Sequence, residues 1–226
     1  LLSSSRVELL YCGSAEEQRV EDAVLSALAA LPRGHQDELP PVEQVAAPSQ
    51  PRFINETMDV TQGKLAVGYR CTSKDYPAMV LANLIFGGTS NSKLFLNVRE
   101  KLSLCYYASS SYARSKNILT VSSGVETGDR DRVLEEIDRQ LKAVQTGDWE
   151  DWEQEGALQA IRSSLLSLSD SQGALENFYL GQIASGVHET PEELAAELER
   201  VTKERIVAAA RTVHLDTVYF LGGRDA

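Results

Sequence analysis

Two polar residues in the segment NVREKLSLCYYASS, residues 97–110, could act together on a bound ligand. Arg99 lies in a stretch with helical periodicity, and Tyr106 lies in the strand-like stretch that follows it. A guanidinium offers a planar fork of N–H donors and a phenol offers one O–H donor, so the pair suits peptide carbonyls or a carboxylate. The turn between helix and strand could bring the two side chains together. The pattern is also compatible with a surface arginine and a core tyrosine.

Histidine spacing argues against a zinc site within this chain. His188 and Glu189 begin a pattern like H-E-x-x-H. Glu192, however, stands where the second histidine should be, and Pro191 interrupts the helix that would hold both on one face. The inverted pattern H-x-x-E-H does not occur either. We therefore expect that this chain carries no catalytic zinc and needs no cofactor of its own.

Other reactive residue types follow no recognised pattern. Cys12, Cys71 and Cys105 are far apart without C-x-x-C spacing, so we expect small buried side chains that stay reduced. The serines and glycines match no nucleophile elbow, dinucleotide fingerprint or phosphate loop. The acidic run GDWEDWEQEG, residues 147–156, is interpreted as a solvated helix start rather than as a divalent-cation site.

The overall charge limits the kind of partner. The chain has 226 residues and a net charge of −11, with 22 Lys and Arg against 33 Asp and Glu, which argues against nucleic acid or an anionic membrane. No apolar run approaches the roughly 20 residues that span a bilayer, and no signal peptide is recognisable. We expect a cytoplasmic protein. Because the chain lacks an initiator methionine and starts almost directly in a predicted strand, we interpret it as a domain of a longer polypeptide.

The N-terminal third predicts a strand, a helix, a connector and two further strands. Residues 7–13 form a short apolar run, and the next segment has capping-box spacing at Ser14 and Glu17. Residues 32–51 contain five of the seven prolines and predict an extended connector within the domain. Residues 52–60 and 63–71 predict two strands joined as a hairpin.

The middle of the chain predicts the elements that position Arg99 and Tyr106. Helices are expected over residues 76–88 and 90–102, with Leu102 facing inward. Residues 104–113 and 118–125 are expected to pair as a hairpin, with Tyr106 on the same strand face as Leu104 and Ala108. The predicted core residues of the two helices are Leu81, Leu84, Ile85, Leu94, Phe95 and Val98.

The last third is mainly helical and ends in a strand. Apolar stripes predict three helices, a capping box at Thr190 and Glu193 opens another, a further helix follows, and residues 216–223 read as the closing strand. Antiparallel strand pairs that alternate with groups of helices indicate an α+β fold with two layers, in which helices cover one face of a mainly antiparallel sheet. We interpret residues 1–226 as a single domain.

The segment GGTSNSKLFLNVREKLSLCYYASS resembles the signature of the C-terminal domains of pitrilysin/insulinase-type zinc peptidases, the group that includes mitochondrial processing peptidase. The resemblance extends in order from the LLYCG run through GKLAVGYRC to the closing LDTVYFLGG. It is strongest to bacterial paralogues that lack the zinc motif and pair with a zinc-bearing one. The sequence departs from the family pattern at Ser103, where a glycine is common, and at Tyr107, a second tyrosine.

The resemblance implies a non-catalytic, substrate-holding domain. In that family a homologous N-terminal domain or partner subunit carries the zinc, and the C-terminal domain supplies an arginine and a tyrosine that hold the peptide. Here these would be Arg99 and Tyr106, with Tyr107 as the other candidate phenol. The chain could instead be the closing half of a complete single-chain peptidase, or an interaction scaffold with the same fold and no peptidase role.

Overall fold

The computed structural model describes residues 3–35 and 45–223, in which five strands form one sheet. The strands are β1 (Arg52–Met58), β2 (Gly63–Cys71), β3 (Cys105–Ala113), β4 (Ile118–Val125) and β5 (Val213–Gly223). The helices are α1 (Glu17–Ala29), α2 (Tyr76–Asn83), α3 (Arg130–Thr146), α4 (Asp151–Leu166), α5 (Gln172–Ser185), α6 (Pro191–Leu198) and α7 (Lys203–Ala210). Two π-helical segments, Leu84–Gly88 and Leu94–Lys101, lie between α2 and β3.

The closing strand β5 lies inside the sheet, whose strand order is β1-β5-β2-β4-β3. It pairs in parallel with β1 and antiparallel with β2, and the β2–β4 and β4–β3 pairs are also antiparallel. The predicted hairpin of residues 52–60 with 63–71 is therefore wrong, because β5 separates its two strands. The hairpin of β3 with β4 is confirmed.

One face of the sheet is buried under helices, as the two-layer α+β prediction requires. Buried side chains alternate along β2 with exposed or half-buried ones, and one apolar cluster joins the strands to α2, α3, α4, α6, α7 and the π-helical segments. Of the six predicted core residues, Leu81, Ile85, Leu94 and Val98 are fully buried. Leu84 and Phe95 are half-buried.

The structure corrects the prediction for Leu102, which is 43% exposed rather than inward-facing. It stands just after the last residue of the π-helical segment Leu94–Lys101. The wider π winding changes the angle between successive residues, so a stripe extrapolated from α-helical spacing no longer points to the core.

The N-terminal segment differs most from the prediction. Within the described residues, 7–13 form no strand, and the apolar side chains of Val7, Leu9 and Tyr11 are exposed. Helix α1 forms as expected, but it buries no residue, and its N-cap is Glu16 without a side-chain cap rather than Ser14. An apolar strand pattern needs a neighbouring strand to become a strand, and the five-stranded sheet does not provide one here.

The other predictions for helices and loops have mixed outcomes. The helices of the last third are confirmed, including the capping box of Thr190 and Glu193. The predicted connector 32–51 lies partly outside the described residues, and its described parts contain no helix or strand.

Among the three free cysteines, Cys71 is buried and Cys105 half-buried, but Cys12 is exposed, contrary to prediction. None of the helices in residues 3–35 and 45–223 is long and apolar enough to cross a bilayer.

Gly87 allows the helical layer to approach the sheet at β3. A Cβ atom added to it would lie 2.7 Å from a Leu94 side-chain carbon and 2.8 Å from the backbone nitrogen of Ser110. Both distances are shorter than real Cβ contacts, and backbone cannot move aside easily. The glycine thus sets the spacing between the first π-helical segment and the strand that carries Tyr106.

Asp216 joins three strands on the sheet and should make the fold sensitive to acid. Its carboxylate accepts hydrogen bonds from Thr217 and from Arg70 at 2.9 Å and Arg52 at 3.2 Å, and these bonds lower its pKa from 3.8 to about 2. A lowered pKa stabilises the fold above about pH 4, and the contribution is lost as the pH falls toward 2. Because Arg52 is largely exposed, we expect about 1 kcal/mol.

Urea unfolding of Asp216→Asn tests this expectation. The variant should be less stable than the unsubstituted chain at pH 7, and the difference should shrink toward zero near pH 2. A difference that persists unchanged at low pH would contradict an ionic origin.

Candidate functional site

Arg99 and Glu100 lie on the π-helical segment Leu94–Lys101, which is anchored at both its start and its middle. Leu94 and Val98 are fully buried in the core. At its start, the Lys93 amine lies 3.1 Å from a carboxylate oxygen of Glu153 on α4. These contacts fix the height and rotation of the helix that presents Arg99.

A buried polar chain adds a third anchor to the same segment. Asn97 donates through Nδ2 to Gln140 Oε1 at 2.8 Å, and Gln140 donates through Nε2 to Glu136 Oε1 at 2.6 Å. Gln140 and Glu136 are both buried on α3. Buried amides and carboxylates are costly unless their hydrogen bonds are satisfied. These hydrogen bonds therefore favour one position of the π-helical segment against α3, because a shift of the segment would leave buried polar groups unpaired.

The turn between this segment and β3 passes through Ser103, whose φ is +50°. The backbone N–H of Leu104 then donates to the carbonyl of Val98 at 3.0 Å, which closes the turn. A left-handed residue other than glycine costs about 1 kcal/mol. A glycine at this position would adopt the same conformation without that cost.

We expect Ser103→Gly to stabilise the fold by up to about 0.5 kcal/mol, because relief of the left-handed strain slightly exceeds the extra entropy that glycine gains in the unfolded chain. Ser103→Val should destabilise it, since a β-branched side chain tolerates positive φ poorly. Thermal melts of both variants provide the measurement. A higher melting temperature for the valine variant would contradict the backbone argument.

A β-bulge directs Tyr106 and Tyr107 differently. Cys105 pairs with Val125 and Tyr107 pairs with Gly124, so Tyr106 is the extra residue of β3. Tyr106 is 56% exposed, whereas Leu104 and Ala108 are buried. The prediction that Tyr106 shares a strand face with Leu104 and Ala108 is therefore wrong. A bulge inserts one residue into the alternation and turns the following side chains to the other face.

Tyr106 points to the end of β4. Its hydroxyl donates a hydrogen bond to Glu126, the residue directly after that strand. The carboxylate raises the pKa of the phenol, because it stabilises the protonated form and repels a phenolate. At ordinary pH this tyrosine is therefore a neutral hydrogen-bond donor.

Tyr107 lies over the strands instead. Its ring covers Gly124, where an added Cβ would meet a ring carbon at 2.6 Å, and the Lys64 amine lies 5.4 Å from the ring centre. The backbone carbonyl of Tyr107 accepts a hydrogen bond from Ser123 at 2.8 Å. This packing makes Tyr107 a part of the sheet surface rather than of the cleft that Tyr106 lines.

Arg99 and Tyr106 line the same cleft, which has a volume of about 460 Å³. The guanidinium stacks 4.7 Å from the centre of the Phe95 ring, and its Nε lies 3.6 Å from a carboxylate oxygen of Glu100. The side chain of Arg99 is 41% exposed, so it remains accessible to a ligand. The full lining consists of Arg99, Glu100, Ser103, Leu104, Cys105, Tyr106, Glu126 and Asp129.

The sequence argument missed the carboxylates of this cleft, above all Glu126. Glu126 immediately follows the predicted strand 118–125, whose hairpin partner carries Tyr106. That hairpin would have placed the two residues near each other, at the same end of the strand pair. The acidic run 147–156 does begin a helix as predicted, but Glu153 is buried in its ion pair rather than solvated.

The histidines take no part in the cleft. His188 is exposed in the loop before α6, and the neighbouring Glu189 forms an ion pair with Arg114 at 3.3 Å. Within residues 3–35 and 45–223, no group of three or more His, Cys, Asp and Glu side chains is placed to hold a metal ion. The donor set of the described residues therefore does not fit a zinc site.

Comparison with known families identifies the chain. The family described as the peptidase M16 inactive domain matches residues 1–161. The chain belongs to this family. The resemblance noted from the sequence is thereby confirmed, and so is a peptidase-like but inactive type of domain.

Individual relatives agree with this M16 assignment. A probable inactive metalloprotease, YmfF, of Bacillus subtilis is 34% identical over 99% of this chain and 53% of its own length. A conserved protein from Enterococcus faecalis superposes with a TM-score of 0.83 at 28% identity, covering 94% of this chain and 51% of that one. The peptidase M16 inactive domain from Pseudomonas fluorescens superposes with a TM-score of 0.75 at 19% identity, covering 94% and 52%. The chain thus spans about half the length of these relatives.

Proposed function

We propose that this M16 domain is the substrate-holding half of a zinc-peptidase assembly and acts on peptides without performing catalysis itself. The observation that carries the proposal is the shared cleft of Arg99 and Tyr106. An accessible guanidinium and a neutral phenol converge there from two separately anchored elements. The domain would be the C-terminal part of a longer two-domain protein.

The chemistry of the two donors fits a peptide carbonyl. The guanidinium can give two parallel N–H bonds and carries a positive charge, and the phenol gives one O–H bond. Donors held in place before the substrate arrives lose little entropy on binding, and they stabilise negative charge that develops on the carbonyl oxygen. Tyr106 rather than Tyr107 is the phenol that we assign to this role, because the bulge turns it into the cleft.

Zinc would be supplied by a homologous N-terminal domain or partner subunit, where it would activate a water molecule for attack on the peptide bond. Two apolar regions of this chain provide contact area for such a partner. Val7, Leu9 and Tyr11 are exposed in the N-terminal segment, and Phe53 and Met58 are exposed on the edge strand β1. Exposed apolar groups in such clusters are typical of protein interfaces.

We also propose a cytoplasmic location and a pairing between this chain's full-length protein and a zinc-bearing homologue. Three free cysteines and an acidic surface are in keeping with a reducing compartment and with no role on nucleic acid or membranes.

Reconstitution tests the proposed function. The zinc-bearing homologue is assayed for hydrolysis of a fluorogenic peptide, once alone and once mixed with the full-length form of this protein. Hydrolysis that depends on this protein supports a substrate-holding role. Equal hydrolysis in its absence, with a stable complex still formed, would instead favour an interaction scaffold.

A further inference from the structure

Both donors of the cleft already have a carboxylate partner within it. Arg99 Nε lies 3.6 Å from Glu100, and the hydroxyl of Tyr106 donates to Glu126. The fourth charged residue of the lining, Asp129, pairs instead with Arg132 at 2.7 Å. Glu126 therefore occupies the phenolic donor that the proposed function assigns to a peptide, whereas Glu100 forms an ion pair with Arg99 without occupying its N–H donors.

The bond of Tyr106 is the tighter of the two. Arg99 has several N–H groups, so its contact with Glu100 leaves other donors free, but a phenol has a single proton to donate. When the phenol donates this proton in a hydrogen bond to Glu126, it cannot donate the same proton to a peptide carbonyl. A hydrogen bond to an ionised acceptor is also stronger than one to a neutral carbonyl.

The backbone brings the two partners of this bond to the same end of the β3–β4 pair. Cys105 pairs with Val125 across the antiparallel strands, and Tyr106 and Glu126 follow these two residues in opposite directions, so they lie diagonally across the pair. Glu126 then leads directly into the 3-10 turn Thr127–Asp129. Diagonal neighbours of this kind are within reach of aromatic and long side chains, so the hairpin places the phenol and the carboxylate where they can form this bond.

We propose that Glu126 is a positioning residue that latches the Tyr106 hydroxyl in the resting cleft, and that a peptide carbonyl must displace Glu126 to engage the phenol. The inference rests on the proposed function, because it describes how that same site is kept before substrate arrives. It assigns to Glu126 a role that opposes binding in the free protein and orients the phenol toward the cleft.

The latch itself is tested without any peptide. In the full-length protein labelled with ¹³C at tyrosine Cζ, Tyr106 is assigned with Tyr106→Phe and its titration is followed by NMR. Glu126→Gln should lower the pKa of Tyr106 toward the ordinary tyrosine range, because the neutral amide no longer disfavours a phenolate. The matched control Glu100→Gln removes the same charge from the same cleft and should shift it less. An equal shift in both variants, or none in either, would overturn the latch.

Displacement by substrate is tested with an uncharged, end-blocked alanine–serine–glycine peptide, which offers carbonyls but no charge. Glu126→Gln should bind it roughly three- to tenfold more tightly than the unsubstituted protein, because the amide competes less strongly for the phenol. The gain should be absent in Glu100→Gln and should disappear when Tyr106→Phe is added to Glu126→Gln. Equal or weaker binding by Glu126→Gln would overturn displacement.

The two measurements separate the latch from the proposed function. If the titration behaves as expected but no variant binds the peptide, then the substrate-holding role fails, and displacement by a carbonyl fails with it. If the peptide binds and depends on Tyr106 while the titration is insensitive to Glu126, only the latch fails.

Discussion

Replacing Arg99 by alanine, or Tyr106 by phenylalanine, should lower kcat/KM of the assembled peptidase on the order of a hundredfold. In the proposed function, each change removes a positioned donor to a carbonyl oxygen that would become negative during the reaction. The fold should tolerate both changes, because Arg99 and Tyr106 are partly exposed, at 41% for the arginine side chain and 56% for the tyrosine. Substitutions at such positions usually change the free energy of unfolding by about 1 kcal/mol or less.

Two control variants make this result specific. Tyr107→Phe removes the neighbouring hydroxyl but keeps the ring that covers Gly124, so it should leave hydrolysis nearly unchanged. Arg99→Lys keeps the charge but loses the planar fork, so it should recover only part of the activity. Peptide hydrolysis and thermal melts of each variant are the measurements. Unchanged hydrolysis in the Arg99 and Tyr106 variants would favour a scaffold, and a collapse in melting temperature would assign the pair a structural role.

Local patterns in the sequence were sufficient for most helices and for the β3–β4 hairpin. Each depends on contacts within one segment or between neighbouring segments, such as the capping box of Thr190 and Glu193, where both partners lie within one helical turn. The residue motif around Arg99 was likewise sufficient to identify the family.

Features that depend on distant residues could not be predicted in this way. Strand β5 enters the sheet between β1 and β2, although β2 ends at Cys71, β1 ends earlier still, and β5 begins only at Val213. No local signal near residues 59–62 distinguishes a hairpin turn from a connection across an intervening strand. The strand predicted from the apolar pattern of residues 7–13 does not form, because whether such a segment becomes a strand depends on a neighbour outside it.

The direction of Tyr106 is the case that matters most for the site. A period of two predicts a buried tyrosine between Leu104 and Ala108, and the single-residue bulge makes it an exposed one. The resemblance to a peptidase family singled out Tyr106, whereas the alternation placed its side chain on the wrong face. At this site the β-bulge is what exposes the side chain of Tyr106.

Replacing Lys93 by alanine should destabilise the fold by roughly 3 kcal/mol. The Lys93 amine and the Glu153 carboxylate are 3.1 Å apart, and each side chain is only 9% exposed. Removal of the amine leaves a carboxylate without its counter-charge in a site that water hardly reaches. For a chain of this size, the melting temperature should fall by about 6–12 °C.

The matched control is an exposed pair, Lys142 with Asp138 on α3, whose loss in Lys142→Ala should cost less than about 0.5 kcal/mol. A second control removes both buried charges. Lys93→Met with Glu153→Gln keeps an acceptor for the backbone N–H of Glu150, which Glu153 caps at 2.9 Å, and should restore most of the lost stability.

Lys93 stands immediately before the helical segment that carries Arg99. Its ion pair with Glu153 therefore also affects where Arg99 lies in the cleft. If burial of the charge is the cause, the double variant melts near the unsubstituted chain and the single variant does not. If Lys93→Ala instead melts no lower than Lys142→Ala, the amine must have access to water in solution. The position of the Arg99 segment would then depend on its apolar contacts and on the Asn97–Gln140 hydrogen bond alone.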